Sequence, residues 1–317
     1  MSTEVIEQTT SGSAPDRLHG GWFLLALDDE LGPGITPLKL GARDLIAVRD
    51  DDRVRVFAAT CPHRGAHLGY GGTLDGRCVI CPFHGKRIAL GDTARRWSVP
   101  EVRTLRAGSA LFARLSDDPG DDRGFEQAIK QAAEELTFVP AVREEVAVPA
   151  EYVVENAFDA EHFSTVHLVP AVKGMRVSMG EHDELVIEGE FRTKTPPWER
   201  PGKKDGALNF ASRFVARAYS PHLVLTELGT AEAPYTIITG AVPDGAGCVG
   251  RVVIGVRPDR TASLPALVHG AKYAFQQDRV VWDHLDVHAP QRFDAADTSV
   301  IAFRRFCDGF APAEALS

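Results

Sequence analysis

Short apolar runs separated by turn-forming residues fill the first third of the chain. Runs at 22–27, 45–48, 54–57 and 110–115 have the length and composition of strands. An acidic turn, Asp50-Asp51-Asp52, separates the second run from the third and predicts a hairpin. Residues 1–16 carry no periodic pattern. We therefore expect a disordered tail at 1–16 and a small all-β domain over 17–118.

The pattern changes after an acidic, turn-rich segment at 116–124, which we interpret as the domain boundary. Phe125, Ile129, Ala133 and Leu136 recur at helical spacing. Strand-like runs follow at 184–193, 214–219, 223–228, 236–242 and 248–256, and helical patterns cover 264–287 and 300–310. A helix, an antiparallel sheet and a long C-terminal helix predict a helix-grip domain over 119–317, and an α+β protein overall.

Composition narrows the functional classes. The 317 residues are 44% hydrophobic and 25% charged, which suits a globular protein of two domains. A net charge of -9 argues against nucleic acid as a partner and would suit a basic redox protein. No apolar stretch approaches the ~20 residues of a membrane span, and the N-terminus does not look like a secretory signal. Five cysteines without framework spacing suggest a reducing, cytoplasmic location.

Two short motifs carry most of the chemical information. They are Cys61-Pro-His63 and Cys81-Pro-Phe-His84, each with one thiol and one imidazole. A Rieske [2Fe–2S] centre uses this set, with two His in place of two Cys on one iron. A Cys₂His₂ zinc site is the alternative, but there the cysteines and the histidines usually form separate pairs. The spacing therefore favours a Rieske cluster held by all four residues.

A second metal site is indicated at 155–167, where His162 and His167 accompany Asn156 and Asp159. Two neutral imidazoles and one carboxylate form the facial triad of non-heme Fe(II) oxygenases. On an ideal helix the two histidines point about 140° apart, so they converge only if the helix widens or ends between them. Asp159 shares a helix face with His162, where its carboxylate could accept a hydrogen bond from the imidazole ring.

The third ligand should be a carboxylate from the C-terminal part. Asp278 lies in an otherwise apolar helical pattern, where an unpaired carboxylate would be costly. Asp283 and Asp286 are competing candidates. A solvent-facing Asp278 paired with Arg279 or Lys272 is the structural alternative.

Together these residues resemble the Rieske non-heme iron oxygenases, specifically their terminal oxygenase α-subunits. The motifs that carry the resemblance are Cys-Pro-His-Arg-Gly-Ala at 61–66, Cys-Pro-Phe-His-Gly at 81–85, Asn-x₂-Asp-x₂-His-x₄-His at 156–167 and Gln-Asp-x₃-Trp at 277–282. The segment 302–306 is similar to the ketosteroid 9α-hydroxylase-like and cholesterol-desaturase-like branch. One departure is Lys86, where many members have an aromatic residue after His-Gly.

The resemblance implies a homotrimer in which electrons pass from His84 of one chain through Asp159 to His162 of the next. It also implies a monohydroxylase that uses O2, a hydrophobic substrate, and a separate ferredoxin and NAD(P)H-dependent reductase. The short catalytic domain favours a specialised natural product over a sterol. Steroid hydroxylation or desaturation, O- or N-demethylation and oxidative cyclisation stay open. So does an electron carrier with a ligand-binding domain. Phe214, Leu223, Leu225 and Ile237 are expected to line the pocket.

Overall fold

The computed structural model describes residues 18–50, 53–169, 171–193 and 210–313. The proposed tail at 1–16 and most of the acidic turn at 50–52 lie outside these ranges. No helix within the described ranges is long and apolar enough to cross a membrane.

Two sheets form the N-terminal region. The six-stranded antiparallel sheet has the order β1 (Trp22–Leu27), β10 (Ala110–Arg114), β9 (Glu101–Ala107), β4 (Arg53–Ala58), β3 (Arg43–Asp50) and β2 (Gly34–Leu40). The smaller sheet contains β5 (Thr73–Asp75), β6 (Cys78–Ile80), β7 (Arg87–Leu90) and β8 (Ser98–Val99). One apolar cluster, which includes Ile46, Phe57, Leu68 and Val79, joins the two sheets beneath the cysteine loops. The loops therefore start from a packed base.

A seven-stranded antiparallel sheet forms the second half. Its order is β11 (Thr137–Val146), β17 (Gly247–Val256), β16 (Pro234–Asp244), β15 (Leu223–Gly229), β14 (Phe210–Ser220), β13 (Leu185–Thr193) and β12 (Ala171–Met179). The helices are α1 (Phe125–Glu135), α2 (Ala150–Glu155), α3 (His162–Thr165), α4 (Leu264–Trp282) and α5 (Thr298–Asp308). This arrangement confirms the expected α+β fold with an antiparallel sheet and a long C-terminal helix. Helix α4 ends at Trp282, five residues before the expected 287.

The two faces of this large sheet pack against different parts of the protein. Leu225, Ile238 and Val253 pack against β1, β10 and α1 in one core. Their neighbours Val252 and Ile254 belong to the core beneath α4. Because side chains alternate along a strand, one face is committed to the N-terminal region and the other faces α4. An apolar cavity between this sheet and a helix would therefore lie on the α4 side.

Eight strands in the described ranges escaped the sequence-based prediction: β2, β5, β6, β7, β8, β9, β11 and β12. Three of them, β2, β11 and β12, are edges of the two larger sheets. β2 contains Pro37 and β11 contains Pro140, where the register with β17 shifts. β12 has a register shift beside Gly174, whose φ is +63°. Proline and glycine lower the strand signal, and sheets tolerate them at edges, where a lost ladder hydrogen bond costs least. These three missed edge strands therefore share a physical cause.

A buried histidine pair connects the start of the described chain to the second half. The Nδ1 of His19 accepts a hydrogen bond from the Gly21 N–H, so its Nε2 carries the proton and donates to His222 Nδ1 at 3.2 Å. The other nitrogen of His222 lies 3.3 Å from a Glu151 carboxylate oxygen on α2. Burial, together with the neighbouring His222, holds the pKa of His19 well below its ordinary value. The pair therefore ties the segment before β1 to α2, with His19 in its neutral form.

This tie makes stability depend on pH. The pKa of His19 in the folded protein lies below its unfolded value of about 6.5. Below about pH 6.5 the unfolded chain therefore binds a proton that the folded protein does not, and the free energy of unfolding decreases. We expect the Tm of the wild-type protein to fall between about pH 7.5 and about pH 5.5 by more than that of His19→Gln. An equal drop in both proteins, measured by circular dichroism, would contradict this assignment.

Candidate metal centres

The two cysteine motifs fold into loops of the same shape. In each, the glycine four residues after the cysteine donates its N–H to the cysteine carbonyl, at 2.9 Å for Gly65 and 3.0 Å for Gly85. Each cysteine N–H in turn donates 2.8 Å to the carbonyl five residues on. Gly65 and Gly85 have φ values of +75° and +64°, a region that favours glycine. The loops therefore present their side chains as two facing turns.

The four motif side chains converge between these turns. Cys61 and Cys81 are each only 2% exposed, and their thiols hydrogen-bond each other. Burial, with the neighbouring thiol, raises the pKa of Cys61. The rings of His63 and His84 lie 4.9 Å apart, centre to centre. The Nδ1 of His63 is buried and has no hydrogen-bond partner among the described residues.

This donor set fits an iron–sulfur cluster. Two buried thiols need a cation to become thiolates, and a buried imidazole nitrogen without a partner is costly unless it binds a metal. Two thiolates and two imidazoles from opposing loops are the ligands of a Rieske [2Fe–2S] centre. His63 is half-buried, whereas His84 is exposed, so the two imidazoles differ in their access to a partner.

An aromatic and cationic group borders the His63 side. The rings of Trp97 and His63 meet edge to face, with their centres 5.4 Å apart. Lys86 Nζ is 5.1 Å from the Trp97 centroid, and the Arg96 guanidinium is 4.8 Å from it. The chain therefore has an aromatic contact to His63 at Trp97, although position 86 is a lysine. No spacing signal in the sequence pointed to Trp97, because it lies in a loop.

The second centre depends on where helix α3 ends. α3 runs only from His162 to Thr165, and the Val166 N–H closes its last bond to the His162 carbonyl. Leu168 then adopts a left-handed conformation with φ +54°, and Val169 reaches back to the Phe163 carbonyl. The chain thus leaves the helix between the two histidines. Their rings lie 4.9 Å apart, centre to centre, at 75° to each other.

His162, His167 and Asp278 meet at one point. One ligand atom from each residue lies within 4.8 Å of the other two. His167 Nε2 is 3.2 Å from Asp278 Oδ1, and both side chains are less than one-sixth exposed. Helix α4 supplies Asp278, and α3 with the residues after it supplies the two histidines. Their ligand atoms are close enough together to hold a single metal ion.

Hydrogen bonds fix both imidazoles in a metal-binding form. His162 Nδ1 donates to the Asp159 backbone carbonyl at 2.5 Å, which leaves Nε2 with its lone pair. His167 Nδ1 lies 3.1 Å from the Gln277 side-chain oxygen. Burial, with the neighbouring His167, lowers the pKa of His162 against the opposing effect of Asp278. When the His167 proton lies on Nδ1, the Nε2 lone pair faces the Asp278 carboxylate oxygen at 3.2 Å, and a cation between them would stabilise both groups; the donor set fits Fe(II).

Asp159 acts differently from the sequence-based expectation. Its carboxylate does not bond the His162 ring; instead it accepts the backbone N–H groups of Glu161 and His162, at 3.1 and 3.2 Å. The carboxylate therefore orients the start of α3, and its own carbonyl orients the ring. The carbonyl is closer because Asp159 lies in extended backbone just before the helix turn. Asn156, one turn earlier, lines the neighbouring cavity.

The alternatives to Asp278 make other contacts. Arg279, the suggested partner of a solvent-facing Asp278, binds Glu144 and Asp283 instead. Asp286 accepts the His288 N–H at 3.0 Å and is exposed. Asp283 and Asp286 thus make hydrogen bonds or ion pairs at the protein surface, whereas Asp278 faces His167.

A cavity of about 250 Å³ adjoins the three candidate ligands. It lies between α4 and the sheet, and most of its lining is apolar, including Phe163, Phe191, Phe214, Ile237 and Phe275. Phe214 and Ile237 were expected there, but Leu223 and Leu225 were not found in the lining. Val224 and Thr226 take their place, because strand alternation turns Leu223 and Leu225 into the core against β1.

Comparisons with known proteins agree with this arrangement. The Rieske [2Fe-2S] domain family matches residues 21–107. Cholesterol 7-desaturase of Bombyx mori is 22% identical over 96% of this chain and 72% of its own. The oxygenase component of 3-ketosteroid-9-alpha-monooxygenase from Rhodococcus rhodochrous is 25% identical over 70% of this chain, which spans 59% of that protein.

A solved structure shows the same fold over most of the chain. Dicamba monooxygenase bound to dicamba has a TM-score of 0.67 at 17% identity, and the match covers 92% of this chain and 96% of that one. The matched domain surrounds the cysteine loops, and the aligned relatives are an oxygenase and a desaturase. Residues 21–107 therefore form a Rieske [2Fe–2S] domain, and the chain as a whole is similar to Rieske oxygenases.

Proposed function

We propose that this chain is the terminal oxygenase component of a Rieske non-heme iron monooxygenase that hydroxylates a compact, mostly apolar organic molecule. Residues 17–118 would form the electron-accepting domain and 119–317 the catalytic domain. The observation that carries the proposal is the convergence of His162, His167 and Asp278 beside an apolar cavity.

The residues have distinct roles in this proposal. Cys61, His63, Cys81 and His84 would hold the [2Fe–2S] cluster. His162, His167 and Asp278 would hold Fe(II), which supplies dioxygen activation when it is bound. The Asp159 carbonyl keeps the His162 proton on Nδ1, and Asn156 offers an amide to the cavity. The aromatic lining excludes water from the substrate.

The cavity supports the proposed class of substrate. Its volume of about 250 Å³ lies near the lower end of small-molecule pockets, which are about 300–1,000 Å³. Apart from the three candidate metal ligands, the polar side chains in its lining include Asn156, Ser212, Thr226, Thr239 and Gln277. Such a site favours a compact natural product with one or two polar groups over an extended sterol.

Two exposed apolar surfaces support a trimer. Near the cluster, Tyr70 and Phe83 are more than half exposed, and the Arg64 cation lies over Phe83. Beside the iron site, Leu168 and Val280 are about two-thirds exposed. Apolar residues with this exposure mark interaction surfaces. We infer that the cluster-side surface of one chain packs on the iron-side surface of the next.

The charges of the two surfaces are complementary. Arg64 and Arg96 are exposed on the cluster side, whereas Glu161 and Asp286 are exposed on the iron side. This pairing would bring His84 of one chain next to Asp159 of another, and electrons would cross there to His162. The cations also suit an acidic ferredoxin, supplied by an NAD(P)H-dependent reductase, rather than the basic partner suggested by the overall charge.

The ligand role of Asp278 predicts a selective loss of iron. Asp278→Ala should reduce iron from about three atoms per chain to about two, because the cluster keeps its own ligands. Turnover should fall by more than about 100-fold, since even outer partners of a metal ligand contribute 10–100-fold. Iron analysis and the cluster absorbance measure both effects.

Asp283→Ala is the matched control on the same helix and should keep all the iron. Full iron content in Asp278→Ala would refute the site, and two irons in the wild-type chain would indicate an electron carrier.

Electron transfer between chains predicts complementation. Cys81→Ser removes a cluster ligand and His167→Ala removes an iron ligand, so each protein alone should be inactive. Co-expressed chains should regain measurable turnover, because a mixed trimer pairs an intact cluster with an intact iron across one interface.

The same mixture tests Asp159. Adding Asp159→Ala to the Cys81→Ser chain should abolish the recovered turnover, whereas Glu161→Ala should leave it. Recovery without Asp159 would refute its bridging role, and inactive mixtures with proven mixed trimers would place the electron path within one chain.

The cavity wall offers a test of substrate size. Gly270 is a helical residue of α4 that lines the cavity, and an added Cβ would contact nothing within 4 Å. Gly270→Leu should raise KM about tenfold or more by filling the cavity, while stabilising the helix by about 0.5–1 kcal/mol. Gly270→Ala should give the same stability with little change in KM. An unchanged KM in Gly270→Leu would place the substrate elsewhere.

A further inference from the structure

Consecutive residues of helix α4 contact both ring nitrogens of His167. Gln277 Oε1 is 3.1 Å from Nδ1, and Asp278 Oδ1 is 3.2 Å from Nε2. Neighbouring helical side chains diverge by about 100°, which suits the opposite sides of an imidazole ring. Gln277 is half-buried and lines the cavity together with Asp278. The ring therefore lies between two side chains of one rigid element.

His167 depends on a side chain where His162 depends on the backbone. The proton of His162 is held by the Asp159 carbonyl, three residues earlier on the same segment. His167 follows the end of α3, and the left-handed Leu168 turns the chain away after it. The hydrogen-bond partner found at His167 Nδ1 is the side-chain oxygen of Gln277, 110 residues away, which accepts the Nδ1 proton. A side-chain substitution can therefore test this contact, which is not possible for His162.

The amide of Gln277 suits both states of the site. With a metal on Nε2, the proton lies on Nδ1 and donates to the amide oxygen. Without a metal, the proton would lie between Nε2 and Asp278, and the amide could turn over to donate its N–H to Nδ1. A carboxylate at position 277 would match only the first state, and an apolar side chain would match neither.

We propose that Gln277 is a positioning residue that fixes the tautomer and ring plane of His167 for metal binding. The inference rests on the proposed mononuclear iron site. Helix α4 holds Gln277 firmly, because Phe275 and Trp282 of the same helix are buried beneath it. Outer hydrogen-bond partners of this kind contribute about 10- to 100-fold to metal affinity.

The test is anaerobic Fe(II) binding to the full-length protein with its cluster intact. Gln277→Leu should bind Fe(II) about 10- to 100-fold more weakly than wild type. The electron paramagnetic resonance signal of its nitric oxide adduct should broaden, because the ring is no longer held in one plane. Gln277→Glu keeps an acceptor for Nδ1–H and should restore both the affinity and the sharp signal.

Gln276→Leu is the matched control, since Gln276 is the exposed neighbour on the same helix. It should leave binding and the signal unchanged. Wild-type affinity with a sharp signal in Gln277→Leu would overturn the inference alone. Loss of affinity in Gln277→Glu as large as in Gln277→Leu would also overturn it, because side-chain packing would then explain the effect. Failure of the wild-type protein to bind Fe(II) would overturn the iron site itself.

Discussion

The two imidazoles can share one metal ion because helix α3 ends after a single turn. A continued helix would direct His162 and His167 about 140° apart. Asp159 begins the turn by accepting two backbone N–H groups, and Leu168 ends it in a left-handed conformation that is uncommon for a non-glycine residue. Such conformations persist where the surrounding structure holds them, and they are frequent at functional sites. Here the buried neighbours Phe163 and Val169 pack in one core and hold the turn.

The large sheet places this turn beside a cavity by dividing its two faces. One face packs against β1, β10 and α1. The apolar side chains of the other face must therefore be covered by α4 or by a ligand. The sequence could not reveal which residues face which side. Leu223 to Leu225 are apolar on both faces, and a strand buried on both faces loses the alternation that identifies its inward residues. The division emerges only when the two halves of the chain are packed together.

Metal-binding residues were more accessible to sequence reasoning than their supporting contacts. Thiols and imidazoles at fixed spacing have few other uses, so the cysteine loops stood out from the sequence alone. The carboxylate was harder, because Asp278, Asp283 and Asp286 differ only in the direction they face on or after α4. The contacts of Gln277 and Trp97 could not be inferred at all, because each joins segments that are far apart along the chain.

The unequal exposure of the two cluster imidazoles gives the proposed assembly a direction. His84 is exposed and His63 is covered near Trp97, so an electron acceptor outside the chain would meet His84 first. The proposed iron ligands lie in the other half of the chain, beside a different surface. A contact between two unlike surfaces is heterologous, and it forms either a closed ring or an open fibre. Only the ring covers both apolar surfaces of every chain. In the proposed assembly, burial of Phe83 and Val280 in all copies would therefore favour a closed oligomer, in which each cluster would have one neighbouring iron site.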